Sequence, residues 1–395
     1  MHLAYFIVVV VGLTIVALPA TAACMYLLLL TCLSARPASP PASTRKIFFD
    51  IIVPAHDEAA GIGKTISSLY RLSWPSARYR IVVVADNCTD MTASISREAG
   101  ATVLERQDPT RRGKGYALAH AFAWSRSAGI ADAVAVVDAD SVVSANLLES
   151  FAARIENGAC ALQAQYGVLN AMDSWRTRLM AIALGSIHKV RSRARERMRL
   201  SCGIRGNGWC VTHALLGKVP YQSFSLTEDV EFGVDLGLAG YRVAYCDESH
   251  VNGEMVTTEH ASRSQRQRWE GGRIGLIREK VPALLRAALT RRSSVCVDLA
   301  LDLLVLPLSY VVLNVVAIVA IAALNPDGLR STLLMVGLID LLALAAYVCR
   351  GWMLSGIGIV GLWDLLRVPG FLIWKLLIIR FQPRPDTWIR TKRER

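Results

Sequence analysis

The chain has 395 residues, 53% of them hydrophobic and 19% charged, which is too apolar for a wholly soluble globular protein of this size. Part of it is therefore expected in lipid. Its 44 lysines and arginines against 32 aspartates and glutamates leave a net charge of +12, which excludes a plain bundle of apolar helices and favours an anionic partner: nucleic acid, a membrane surface or a phosphorylated substrate.

Residues 3–33 form 31 positions without a charge. As a helix they reach about 46 Å, longer than the ~30 Å hydrocarbon core. Only His2 precedes the run, while Arg36, Arg45 and Lys46 follow it, a pattern unlike a signal peptide that predicts an outside amino terminus and a cytoplasmic continuation. Pro37, Pro40 and Pro41 make the next ten residues a non-helical linker. From Ile47 to Arg292 short β-branched runs alternate with amphipathic stretches, with strands expected at 48–53, 80–85, 101–105, 133–138 and 159–168 and helices between the first four. That order predicts a mostly parallel sheet covered on both faces. Ligands of such sheets bind beyond the carboxyl ends of the strands. His56, Asp57 and Glu58 follow the first strand, Asp86 and Asn87 the second, and Asp138 and Asp140 the fourth.

Apolar runs return at 299–324, around Asp302, at 332–349, around Asp340, and at 353–379. The first two are expected to span, and the third, with Asp364, Arg367 and Lys375 on one side, to lie in the interface or re-enter. Six basic and two acidic residues in 380–395 place the tail in the cytoplasm. The expected organisation is a first span (1–34), a linker (35–46), a cytoplasmic domain (47–292), carboxyl-terminal spanning and interfacial helices (293–379) and a basic tail (380–395). Nine cysteines without a Cys-x-x-Cys pair predict reduced thiols, with neither a disulfide framework nor structural zinc. No internal repeat or long low-complexity tract is evident.

Asp138-Ala139-Asp140 follows four apolar strand residues, 134–137. Two carboxylates two apart at a strand end can grip one hard cation, and Mg2+ or Mn2+ keeps its other positions for water and phosphate oxygens. The same tripeptide is also an ordinary turn; its place beside acids after strands one and two favours the metal. Thr227-Glu228-Asp229 lies beyond a glycine-rich stretch, Gly203, Gly206 and Gly208, that lets backbone approach a ligand. A carboxylate there suits a general base, and equally suits the first turn of a helix capped by Thr227. Gln265, Arg268 and Trp269 sit in the basic stretch 263–278, where arginine can fork onto phosphate and tryptophan can stack on a sugar, although charge runs are often solvated surface. Lys114, between Gly113 and Gly115, can reach a phosphate or make a turn.

Taken in order, Ile52-Val53-Pro54-Ala55-His56-Asp57-Glu58, Ala85-Asp86-Asn87, Asp138-Ala139-Asp140, Thr227-Glu228-Asp229 and Gln265-x-x-Arg268-Trp269 resemble the signature set of the family 2 glycosyltransferases with a GT-A fold. The resemblance covers residues 47–280 and is to the membrane-bound inverting β-glycosyltransferases, which include cellulose, chitin and hyaluronan synthases and ceramide glucosyltransferase. It implies an α/β, Rossmann-like GT-A domain joined to transmembrane and interfacial helices. It further implies that Glu58 and Asp86 contact the nucleoside of a nucleotide-sugar donor, UDP-linked in the first instance. Asp138 would contact the nucleotide, Asp140 a Mg2+ or Mn2+ ion on the diphosphate, and Lys114 the donor. Asp229 would be the base, and Glu228, Gln265, Arg268 and Trp269 would cover the diphosphate and acceptor end. The implied reaction is one in-line displacement with inversion onto a lipid-linked or glycan acceptor at the inner or plasma membrane.

The expected spans are fewer than cellulose synthase uses for its channel, which counts against autonomous secretion of a long polymer. A processive polysaccharide synthase subunit, with export or assembly partners, shares every motif and stays as the alternative. A non-catalytic nucleotide-sugar-binding scaffold is the further one, disfavoured because ionisable residues gather at strand ends and, except for Asp302 and Asp340, not in the spans. His250 and His260 are left out of the site. The run 189–199, with six basic residues, is expected to face anionic headgroups; no groove-reading module accompanies it, so no nucleic-acid partner is expected.

Overall fold

The computed structural model describes residues 2–257, 259–324 and 329–370, with side chains for 15, 17–257, 271–323 and 330–370. Helix α1 (His2–Cys32) leads through an irregular linker to β1 (Phe49–Ala55), α2 (Ile62–Tyr70), β2 (Tyr79–Asp86), α3 (Thr92–Glu98), β3 (Thr102–Arg106), α4 (Lys114–Ala128) and β4 (Ala133–Val136). There follow β5 (Ser141–Val143), α5 (Leu147–Glu156), β6 (Ala161–Val168), α6 (Trp175–Leu184), a π-helical segment (Gly185–Arg191), α7 (Ser192–Arg197), β7 (Trp209–Thr212), α8 (His213–Lys218), α9 (Glu228–Leu238) and β8 (Val243–Gly253). Helices α10 (Glu259–Arg291), α11 (Ser294–Leu304), α12 (Leu308–Leu324), α13 (Leu329–Ser355) and α14 (Ile359–Leu365) complete the described chain.

The strands form one sheet in the order β3-β2-β1-β4-β7-β6-β8-β5. The ladders of β1 with β2 and β4, and of β2 with β3, are parallel. Past β4 the sheet is mixed: β7 runs antiparallel between β4 and β6, β8 is parallel to β6, and β5 closes the edge antiparallel to β8. All five expected strands exist. Three more do not show in the sequence pattern: β5 and β7 are short, and β8 carries Asp247, Glu248 and His250. Asp247 and Glu248 are tolerated in β8 because Arg193 and Arg154 pair with them.

Side-chain alternation along the strands builds two cores. Phe49, Ile51, Val53, Ile81 and Val83 face α2 and α5 with Ile62, Ile66, Leu69, Leu148 and Phe151. Ile52, Val82, Val84, Val134 and Val136 face α4 and α9 with Leu118, Phe122 and Phe232. Since both faces are covered, the strand residues read as continuous apolar runs, and what lies past their carboxyl ends is left to carry polar chemistry.

The apolar helices differ from expectation in two places. The run 299–324 is not one straight helix: α11 and α12 meet at 70° across a break ahead of Leu308, where Pro307 cannot donate to the helix ladder. The run 353–379 is divided, because α13 continues to Ser355 and α14 spans only Ile359–Leu365; residues 371–379 and the tail 380–395 lie outside the described residues. Among the described residues one helix is long and apolar enough to cross a membrane, or two with the bent pair. Thr21 of α1 donates to Asp340 of α13 at 2.7 Å inside an apolar cluster formed by α1, α12 and α13.

The basic run 189–199 is corrected in three of its six basic residues. Arg191 and Arg195 are buried and point at Asp302 and Asp298, while Arg193 pairs with Asp247. A guanidinium given a buried carboxylate partner does not face headgroups.

Candidate functional site

The carboxyl ends of β1, β2 and β4 converge as the topology demands. After β1, Asp57 takes a left-handed φ of 53°, and after β2, Asn87 takes 50°, turns that Asp and Asn tolerate better than most residues. They bring His56 Nδ1 within 2.7 Å of the Asp86 carbonyl, and the Glu58 backbone N–H donates to Thr92 Oγ1 at 2.8 Å. The Asp86 carboxylate accepts from Arg106 Nη1 at 2.6 Å, and Arg106 also lies over the Tyr116 ring, which stacks on Phe224. Glu58 and Asp86 thus stand at one edge of the sheet, past β1 and at the end of β2.

Asp57, Cys88 and Asp90 are the group of three potential metal-ligand side chains that come together among the described residues. Asp57 accepts from Thr89 and Asp90 accepts from Thr92, and burial pushes the Cys88 thiol up. This is a hydrogen-bonded turn with a protonated thiol, a poor match to a hard cation.

The centre of the site is a glycine-rich loop, residues 203–208, between α7 and β7. Gly206 has φ 88°, and a Cβ added there would stand 3.4 Å from Asp229 Oδ2. The Gly206 carbonyl accepts from Lys114 Nζ at 2.5 Å, and the same ammonium lies 2.6 Å from Asp138 Oδ1. Asn207 Oδ1 accepts from the Asp138 backbone N–H at 3.0 Å, and Asn207 Nδ2 donates to Ser141 Oγ at 2.7 Å. Ser141 Oγ in turn donates to Asp140 Oδ1 at 3.0 Å. Lys114, Asp138, Asp140, Glu228 and Asp229 therefore lie in one cluster at the switch from parallel to antiparallel pairing. Its all-oxygen pair, Asp138 and Asp140, fits a hard divalent cation.

The pocket holds more carboxylates than cations. Burial pushes Asp138 and Asp229 up from the ordinary aspartate range, with Lys114 opposing in each case. Glu228 is pushed up to about 8 by burial and by the charge of Asp229. Desolvation alone would lower the half-buried Lys114 ammonium, but Asp138 and Glu228 hold it protonated. Asp229 sits in the first turn of α9, where the backbone N–H groups of Asp229 and Val230 stabilise its ionised form. Gln265, Arg268 and Trp269 lie on α10, whose backbone is described; their side chains lie outside the described residues. Helix α10 approaches the same pocket, because Gly272 leaves no room for a Cβ beside Thr227 Cγ2, at 2.6 Å.

Sequence patterns miss Arg106, Ser141, Asn207 and Gln163. Asn207 could have been found, since it stands within the noted glycines; Gln163 could not, because it enters from mid-strand to donate to the Asn207 carbonyl at 2.7 Å.

The family described as glycosyltransferase-like family 2 matches residues 47–272. A beta-monoglucosyldiacylglycerol synthase of Synechocystis sp. is 30% identical over 236 residues, covering 56% of this chain and 47% of that protein. A probable glucomannan 4-beta-mannosyltransferase of Arabidopsis thaliana is 26% identical over 241 residues, covering 58% and 43%. The chain spans about half the length of the curated relatives it matches. Among solved structures, a mannosyltransferase from Pyrobaculum calidifontis in complex with GDP-Man and Mn2+ superposes with a TM-score of 0.57 at 17% identity, covering 89% of this chain and 99% of that one. The shared fold is GT-A.

Proposed function

This chain belongs to glycosyltransferase-like family 2, and from that premise we propose that it is a membrane-bound inverting glycosyltransferase that moves a sugar from a nucleotide donor to a lipid-linked or glycan acceptor. The observation that carries the reading is the junction at Gly206, which sets Lys114, Asp138 and Asp229 around one space. Glu58 and Asp86 bind the nucleoside, and Lys114 and Asp138 receive the donor. Asp229 takes the proton from the acceptor hydroxyl as its oxygen attacks the anomeric carbon, and the nucleoside diphosphate leaves from the opposite face with the bonding electrons. Glu228, Gln265, Arg268 and Trp269 line the diphosphate and acceptor side. A Mg2+ or Mn2+ ion on Asp140 would neutralise charge on the departing diphosphate. The relatives named for diacylglycerol glycolipid and glucomannan synthesis support acceptors of those two classes.

The organisation that goes with this function is a spanning helix at 1–34, a linker at 35–46, a cytoplasmic domain at 47–292, spanning and interfacial helices at 293–379, and a cytoplasmic basic tail at 380–395. The apolar α13, the bent α11–α12 pair and α1 support the membrane assignment. The test is a donor panel of UDP- and GDP-sugars supplied to the protein in vesicles with diacylglycerol or oligosaccharide acceptors, with products sized. One β-linked addition is the expected result, a ladder would assign a processive synthase, and no metal-dependent nucleotide release from any donor would defeat the enzyme reading in favour of a scaffold.

A further inference from the structure

Asp302 interrupts an apolar run in the sequence, and a charged residue there is costly in lipid. In the folded chain its carboxylate is buried among arginines. Asp302 Oδ1 lies 3.2 Å from Arg191 Nη1 and 2.7 Å from Arg195 Nη2, and Asp302 Oδ2 accepts from Arg205 Nη2 at 2.7 Å. Arg205 belongs to the glycine-rich loop of the site. Its Nε donates to the Cys202 carbonyl at 3.0 Å and its backbone N–H to Gln163 Oε1 at 2.8 Å. The loop is therefore fixed on one side by Gln163 and on the other by Asp302.

Two further contacts centre on the same turn of chain. Helix α11 ends at Leu304, leaving carbonyls without an intrahelical partner. Arg273 of α10 donates to the carbonyls of Asp302, Leu303 and Val305, the last at 2.7 Å. Behind the site, Leu299 of α11 packs against Gly237 of α9, the helix whose first turn holds Asp229. The second half of α11 and the residue after it thus touch the loop under Lys114 and Asp138, the helix of the proposed base, and the helix that carries residues 265–269.

We propose that Asp302 is a positioning residue for glycosyl transfer: its carboxylate acts through Arg205 on the 203–208 loop, while the buried helix end in which it stands holds α10 through the carbonyls that Arg273 caps. The inference rests on the glycosyltransferase reading and deepens it. A misplacement of the order of 1 Å at this loop lowers turnover by about 100-fold when reacting groups must align, while the proposed nucleoside residues Glu58 and Asp86 stand at the ends of β1 and β2, outside the loop.

The test uses the full chain in lipid nanodiscs. Asp302→Asn leaves three guanidiniums short of a carboxylate and can fail to fold; Arg205→Gln leaves Asp302 with Arg191 and Arg195 and keeps that partnership. Nucleotide sites are counted by calorimetry with UDP or GDP and Mn2+, and transfer is measured with UDP-glucose or GDP-mannose. Arg205→Gln is expected to lower kcat by about 10-fold or more with the number of nucleotide sites unchanged. The double variant should lose no more than the worse single one, and Asp302→Glu should recover part of the loss that Asp302→Asn causes. Wild-type kcat in Arg205→Gln, losses that multiply in the double variant, or a fall in kcat matched by lost nucleotide sites would each overturn the proposal. Hydrogen exchange at residues 203–208 is read on the same samples without turnover. Faster exchange in Arg205→Gln is expected, and unchanged exchange overturns the positioning role. An inactive wild type whose loop still loosens in Arg205→Gln would refute the transfer reading while leaving the loop anchor standing.

Discussion

Asp229 and Asp302 are carboxylates on two sides of one glycine-rich loop, and their surroundings are opposite in sign. On the Asp229 side Lys114 serves Asp138, Glu228 and Asp229 together, and burial holds the acids above their ordinary range. On the Asp302 side three guanidiniums converge on one carboxylate. An excess of acids over cations suits the cation binding and proton transfer proposed for this site. A carboxylate saturated by arginines gains no such chemistry and instead holds separate chain segments in one geometry. The same residue type is reactive or rigid according to what the fold brings to it.

The largest effect that would test this contrast is at Asp229. Asp229→Asn keeps shape and removes the proposed base, so transfer is expected to fall by about 10²- to 10⁴-fold while nucleotide affinity stays within a few-fold; product formation beside a nucleotide titration checks both. On the other side of the loop the loss should appear as stability. Arg195 is fully buried between Asp298, Asp302 and Tyr26, and Arg195→Met should cost about 3–5 kcal/mol, since a buried carboxylate then loses its partner. Thermal unfolding in one detergent measures it, and a variant as stable as wild type would remove the distinction between the two regions.

The pH response should also separate them. Glu228 moves from 4.5 in the unfolded chain to about 8 in the folded one. A raised folded pKa adds stability that is complete below the unfolded value and is lost as pH rises through the folded value. The metal-free protein should therefore lose thermal stability between pH 4.5 and about 8, and Glu228→Gln should flatten part of that slope; equal slopes in the two proteins would contradict the assignment. The smallest effect is expected at Gly272, where an added Cβ would press on Thr227. Overpacking by a methyl costs about 1–3 kcal/mol, offset by about 1 kcal/mol of helix propensity on going from Gly to Ala. Gly272→Ala should thus shift the melting temperature little yet slow transfer several-fold, because α10 moves off the pocket; unchanged turnover would show that this contact does not set the position of α10.

Much of the proposed donor edge is visible in the linear pattern. Apolar runs at β1, β2 and β4 bury both sheet faces, so the first polar residues after them, His56 to Glu58, Asp86 and Asp138 to Asp140, must emerge at one edge. The antiparallel half is less readable. Strand β8 carries acids that only Arg154 and Arg193 make acceptable, and those partners lie far off in sequence.

By itself the sequence determined the alternation of strands and helices, the apolar ends and the acidic motifs, because these depend on local periodicity and on residues only a few positions apart. Tertiary structure decided which way the basic run 189–199 faces, that 299–324 bends, and that Asp302 sits among arginines. Those outcomes depend on whether a distant side chain supplies the opposite charge: Arg195 turns inward because Asp298 and Asp302 are there, and no pattern within the run itself encodes that meeting.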